Sequence, residues 1–128
     1  MNSNQIISAS FFENNLSVNQ IHLSDEDLHV LIEYHTSLCT KLELKETDPN
    51  KLNHIMNEII KIDYVHQYNI LSVTKKFINV YYTVRKKLSY SISDQEILDS
   101  IIKEYTSLSG IGIESLYVRV CEYWKIRN

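Results

Sequence analysis

A chain of 128 residues with 44% hydrophobic and 23% charged residues has the make-up of one folded domain, able to bury roughly two-thirds of the surface its unfolded form exposes. Two glycines and one proline are too few to turn the corners of a sandwich or barrel, so an all-α fold is expected. The formal net charge of −3 excludes whole-molecule attraction to nucleic acid or anionic lipid, and the widely separated Cys39 and Cys121 form neither a disulfide framework nor a CxxC pair.

Residues 1–20 read as an N-terminal segment ahead of a single helical domain over 21–128. No basic residue precedes the modest apolar stretch, and Glu13 follows Phe11-Phe12 at once, unlike a secretory leader. No run approaches the roughly 18 apolar residues of a membrane-spanning helix. A cytoplasmic protein with no membrane partner is expected.

The first helix start is Ser24-Asp25-Glu26-Asp27, where the Ser24 hydroxyl can cap free N–H groups and three carboxylates face the positive end of the helix dipole. Leu28, Leu31, Ile32, His35, Leu38, Cys39 and Leu42 then recur at three- and four-residue steps, one inward stripe to about Glu43. Asp48-Pro49 is a second start, with Pro where its missing N–H costs nothing. The stripe Leu52, Ile55, Met56, Ile59 and Ile60 follows and fades near Asp63, leaving Tyr64 to Asn69 as a short aromatic connection.

A third helix is expected from Ile70, with Val73, Phe77, Ile78, Tyr81, Val84 and Leu88 inward and Lys75, Asn79, Tyr82 and Lys86 on another face. Ser93-Asp94-Gln95-Glu96 is a full capping box, and Ile97, Leu98, Ile101, Ile102, Tyr105 and Leu108 give the core face of a fourth helix. Ser109-Gly110-Ile111-Gly112 ends it, Gly110 suiting the left-handed residue of a helix terminus. A last helix carries Ile113, Leu116, Tyr117, Val120, Cys121 and Trp124 inward. Five helices with short loops predict a compact bundle.

Charge is uneven along this pattern. Asn69 to Ile92 holds Lys75, Lys76, Arg85, Lys86 and Lys87 with no acid, leaving eight of the 13 basic residues against all 16 acidic ones elsewhere. A basic face interleaved with Tyr82 and Tyr90 can hold single-stranded nucleic acid by phosphate contact and stacking, or dock an acidic protein. The plainer reading is a solvated face that pairs with the acidic first helix of this chain or of a twin. Nine tyrosines, eight of them from Tyr64 onward, suit half-buried core edges and also protein contact surfaces.

His35 and Cys39 lie one helical turn apart, as do His29 and Glu33, yet zinc needs four ligands and no second pair completes a set. A core role is the expectation for His35 and Cys39. The last two helices and their glycine turn superficially match a DNA-reading helix-turn-helix, but Glu114 and Glu122 dilute Arg119, Lys125 and Arg127. No GxSxG, HExxH or phosphate-loop pattern occurs, so no catalytic residue, metal or cofactor is assigned.

In the order of its signals the chain resembles an uncharacterised all-helical family, a domain of unknown function from anaerobic Gram-positive bacteria. The likeness is carried by Leu23-Ser24, Phe77 to Tyr82, Ser93-Asp94-Gln95-Glu96-Ile97-Leu98 and the glycine turn before Glu114-Ser115-Leu116, over about Leu23 to Leu116. It implies a bacterial cytosolic helical domain and supplies no functional residues. The function expected from sequence is a helical interaction or accessory module, binding a protein partner or a second copy of itself. Its contact surface would comprise Lys75, Lys76, Tyr82, Arg85, Lys86, Lys87 and Tyr90, with Asp25, Glu26 and Asp27 as the acidic counterpart. Nucleic-acid binding through residues 70–88 is the second reading, and a small-ligand or metal-dependent enzyme the third.

Overall fold

The computed structural model describes residues 21–44, 49–109 and 111–126, and these form five α-helices without a strand. The expected all-α bundle is what the chain adopts. The segment 1–20, the Asp48 cap and Gly110 lie outside the described residues.

Helix α1 spans Asp25–Lys41 and opens as its sequence dictates: the Ser24 hydroxyl accepts the Asp27 N–H at 3.0 Å while the Asp27 carboxylate accepts the Ser24 N–H at 3.3 Å. Two otherwise orphaned donors are thereby satisfied. Its inward stripe, Leu28, Leu31, Ile32, His35, Leu38 and Cys39, is buried as expected. Helix α2, Pro49–Ile59, buries Leu52, Ile55, Met56 and Ile59. The connection after it is fixed by Asn69, whose side-chain oxygen accepts the His66 N–H at 2.7 Å and whose amide donates to the Tyr64 carbonyl at 2.9 Å. Gln67 clasps the backbone N–H and C=O of His22 at 2.6 and 2.7 Å, holding the buried Ile21 on the core.

Helix α3, Ile70–Lys87, is the axis of the bundle and packs against α1, α2, α4 (Asp94–Ser107) and α5 (Leu116–Trp124). A helix with neighbours all round buries more than one stripe. Thr74, Val80 and Tyr82 are therefore buried together with the expected Phe77, Ile78, Tyr81 and Val84. Tyr82, expected on an outward face, is corrected to an interior position at 6% exposure.

Helix α4, Asp94–Ser107, starts with the Ser93–Glu96 capping box, at 3.1 and 3.2 Å. The chain then reverses through Ser109 and Gly112, both left-handed with φ of 54° and 74°; at Gly112 glycine alone meets that backbone without a Cβ penalty. The final helix begins later than expected: Ile113–Ser115 is a single 3₁₀ turn, and α5 runs Leu116–Trp124. Trp124 donates its indole N–H to the Ser100 hydroxyl at 2.8 Å, which in turn donates to the Ile97 carbonyl at 2.6 Å. The Phe77 ring meets Tyr105 edge-on at 5.4 Å. Each fully buried side chain of this size stabilises the fold by about 1.5–3 kcal/mol.

Candidate ligand-binding cleft

The end of α3 sets the chemistry of an open cleft among the described residues. Arg85 leaves the last turn of α3 and turns inward, its side chain only 11% exposed. Its Nη1 donates to the Ile92 carbonyl at 2.7 Å and to Asp94 Oδ1 at 3.0 Å, and its Nη2 to the Ser89 carbonyl at 2.7 Å. This fork anchors the α3–α4 loop, a task suited to a planar guanidinium with donors in fixed directions. The Arg85 Nε, buried, has no partner. Above the guanidinium lies the Tyr90 ring, 5.1 Å to its centroid and itself 92% exposed.

Around this fork are two more cations. Lys51, from the first turn of α2, pairs with the second oxygen of Asp94, and Lys86 donates to the Leu42 carbonyl just past the end of α1. One turn before Arg85, Tyr81 is fully buried and its hydroxyl lacks a partner. Burial pushes the Tyr81 phenol up to about 12, against the opposing pull of the Arg85 charge, so it remains a protonated donor at neutral pH. Beside it, Tyr82 shares a 2.6 Å hydrogen bond with His35 Nε2 of α1.

Tyr81, Tyr82, Arg85, Lys86, Tyr90, Lys51 and Asp94, with Glu43, Leu44 and Leu88, line one open cleft of about 790 Å³. That volume lies within the usual range for small-molecule sites, and the wall is half leucine and tyrosine, half charged side chains. The chemistry available is recognition by donors and positive charge. The cations outnumber the carboxylates, Lys51, Arg85 and Lys86 facing Glu43 and Asp94.

Of the residues singled out from sequence, Tyr82, Arg85, Lys86 and Tyr90 are thus brought together. Lys75 stands over the Tyr34 ring at 5.8 Å, and Lys87 donates to the Tyr117 hydroxyl at 2.8 Å, a bond that raises the lysine pKa. Lys76 is half-buried in the middle of α3. Asp25, Glu26 and Asp27 begin α1, about 25 Å of helix away from its C-terminal end. His29 pairs with Glu33 at 3.0 Å on an exposed face, and among the described residues no three His, Cys, Asp or Glu are grouped to hold a metal ion. No described helix is long and apolar enough to cross a membrane.

Sequence reasoning missed Tyr81, Lys51, Asp94, Glu43, Leu44 and Leu88 as parts of one site. Lys51 carried a usable signal, because a cation in the first turn of a helix opposes the dipole and calls for an anionic neighbour. Asp94 reads in the sequence only as part of the Ser93–Glu96 capping box, and the buried Tyr81 as ordinary core.

No curated protein and no solved structure matches this chain. The model of a family of unknown function, DUF6323, matches residues 11–124, and the chain belongs to that family.

Proposed function

We propose that this protein is a small-molecule-binding module whose ligand occupies the cleft between the C-terminal ends of α1 and α3 and the N-terminal ends of α2 and α4. The observation that carries the reading is a pair of buried, unpartnered polar atoms, the Tyr81 hydroxyl and Arg85 Nε, on two residues that line one cleft. Leaving a buried donor unsatisfied costs about 1–3 kcal/mol, and binding sites retain such groups because a ligand satisfies them. The reading is favoured over docking of a protein or nucleic acid on α3 because four of that helix's five cations reach groups of the same chain. Lys75, Arg85, Lys86 and Lys87 each contact a tyrosine, a carbonyl or a carboxylate of the same chain. The buried Cys39 and Cys121 fit a reducing cytoplasmic setting.

A fragment screen by heteronuclear NMR on the full chain tests this reading. Fragments that bind shift the amide resonances of Leu44, Lys51, Tyr82, Leu88 and Tyr90. A screen that yields no binder, or only binders whose shifts map to other faces, overturns it.

A further inference from the structure

We infer that the cleft recognises an organic monocarboxylate, with the carboxylate held by Tyr81 and Arg85 and an apolar or aromatic body lying along Leu44, Leu88 and Tyr90. The inference rests on the reading of the cleft as a ligand site and adds the chemistry of what enters it.

Three observations converge on this ligand. The two unpartnered groups, the Tyr81 O–H and the Arg85 Nε–H, are both donors; what they call for is an acceptor. They come from positions one turn apart on the same face of α3 and line the same cleft, and a single carboxylate offers two oxygens to such a pair. The donor pair thus selects an oxyanion over a neutral carbonyl, since one of the donors is itself charged.

The second observation is the charge balance of the wall. Lys51, Arg85 and Lys86 face Asp94 and Glu43, which leaves one positive charge uncompensated. A singly charged group matches it, whereas a phosphate dianion would bring one negative charge more than the wall neutralises. Asp94 is itself already engaged by Lys51 and by Arg85 Nη1, so it does not turn its own charge on an incoming anion unopposed.

The third is the composition of the rest of the wall. Leu44 and Leu88 are apolar, and the exposed Tyr90 ring lies over Arg85 at the rim. A flat hydrophobic body gains area against these residues while its charged end reaches the donors.

Titration calorimetry and NMR with naphthoate, its neutral isostere naphthamide and naphthyl phosphate decide the matter. Naphthoate is expected to bind roughly tenfold or more tightly than naphthamide, and more tightly than naphthyl phosphate, in keeping with one or two charge-assisted hydrogen bonds. Tyr81→Phe keeps the ring in the core and removes only the unpartnered hydroxyl; it should weaken naphthoate roughly fivefold or more and naphthamide less. Lys51→Gln, at a half-exposed position, should weaken naphthoate with a salt dependence that naphthamide lacks.

Equal affinity for naphthoate and naphthamide, or preference for naphthyl phosphate, overturns the carboxylate assignment while the cleft remains a ligand site. Unchanged naphthoate binding in Tyr81→Phe likewise overturns the role given to the hydroxyl. Failure of all three compounds, together with an empty fragment screen, removes the ligand-site reading itself.

Discussion

The imidazole of His35 on α1 meets the hydroxyl of Tyr82 on α3, Nε2 to Oη at 2.6 Å, with both residues buried and their rings edge-on at 5.1 Å. This bond joins the first helix to the axis of the bundle at a depth where water cannot substitute for either partner. Replacing Tyr82 with Phe removes the hydroxyl and keeps the ring. The expected cost is about 1–3 kcal/mol, measured as a lower urea midpoint with an unchanged denaturant slope; an unaltered midpoint would show that the bond contributes nothing.

Arg85 is expected to tolerate Lys poorly. The guanidinium serves the Ile92 and Ser89 carbonyls and the Asp94 carboxylate at once, and a lysine ammonium cannot reproduce that planar fork. Arg85→Lys should lower stability by roughly 2 kcal/mol and loosen the α3–α4 loop, read as faster amide exchange at Ser91 and Ile92.

Tyr81 gives the protein an alkaline limit. Its folded pKa stands at about 12 against 10.0 for an ordinary tyrosine, chiefly through burial. Between these values the unfolded chain has released the proton and the folded one still holds it, so stability falls as pH rises through that window. The loss should amount to on the order of 2–3 kcal/mol. Tyr81→Phe should flatten the decline in unfolding free energy above pH 10, and a variant that follows the parent curve would contradict the assignment.

Ser24→Ala and Ser93→Ala each remove one capping box, and each should cost about 1 kcal/mol. The two boxes share no partner, so the double variant should lose the sum, checked by chemical denaturation of all three variants.

Those two caps explain why so much of the fold was legible. Ser24 with Asp27 and Ser93 with Glu96 act within four residues, and local chemistry of that kind is written contiguously in the chain. The inward stripes of α1 and α4 are equally local, being a matter of three- and four-residue steps. What could not be read belongs to the third dimension. Tyr82 fell on the wrong side because a stripe presumes one buried face, while α3 is enclosed by four helices and buries Val80 and Thr74 as well. The cleft was hidden for a related reason. Lys51 and Asp94 are 43 positions apart, and nothing near either residue announces the other. Arg85 looked like one more cation of a basic surface, and only its three partners show that it faces inward.

The enclosure of α3 also governs how the molecule can come apart. With every other helix leaning on the same central rod, there is no seam along which the chain divides into halves that retain a core of their own. Cutting the protein between α2 and α3, or between α3 and α4, should leave two fragments that are unstructured separately. Opening should be collective, a single transition in which the amides of Phe77 to Val84 are the last to exchange.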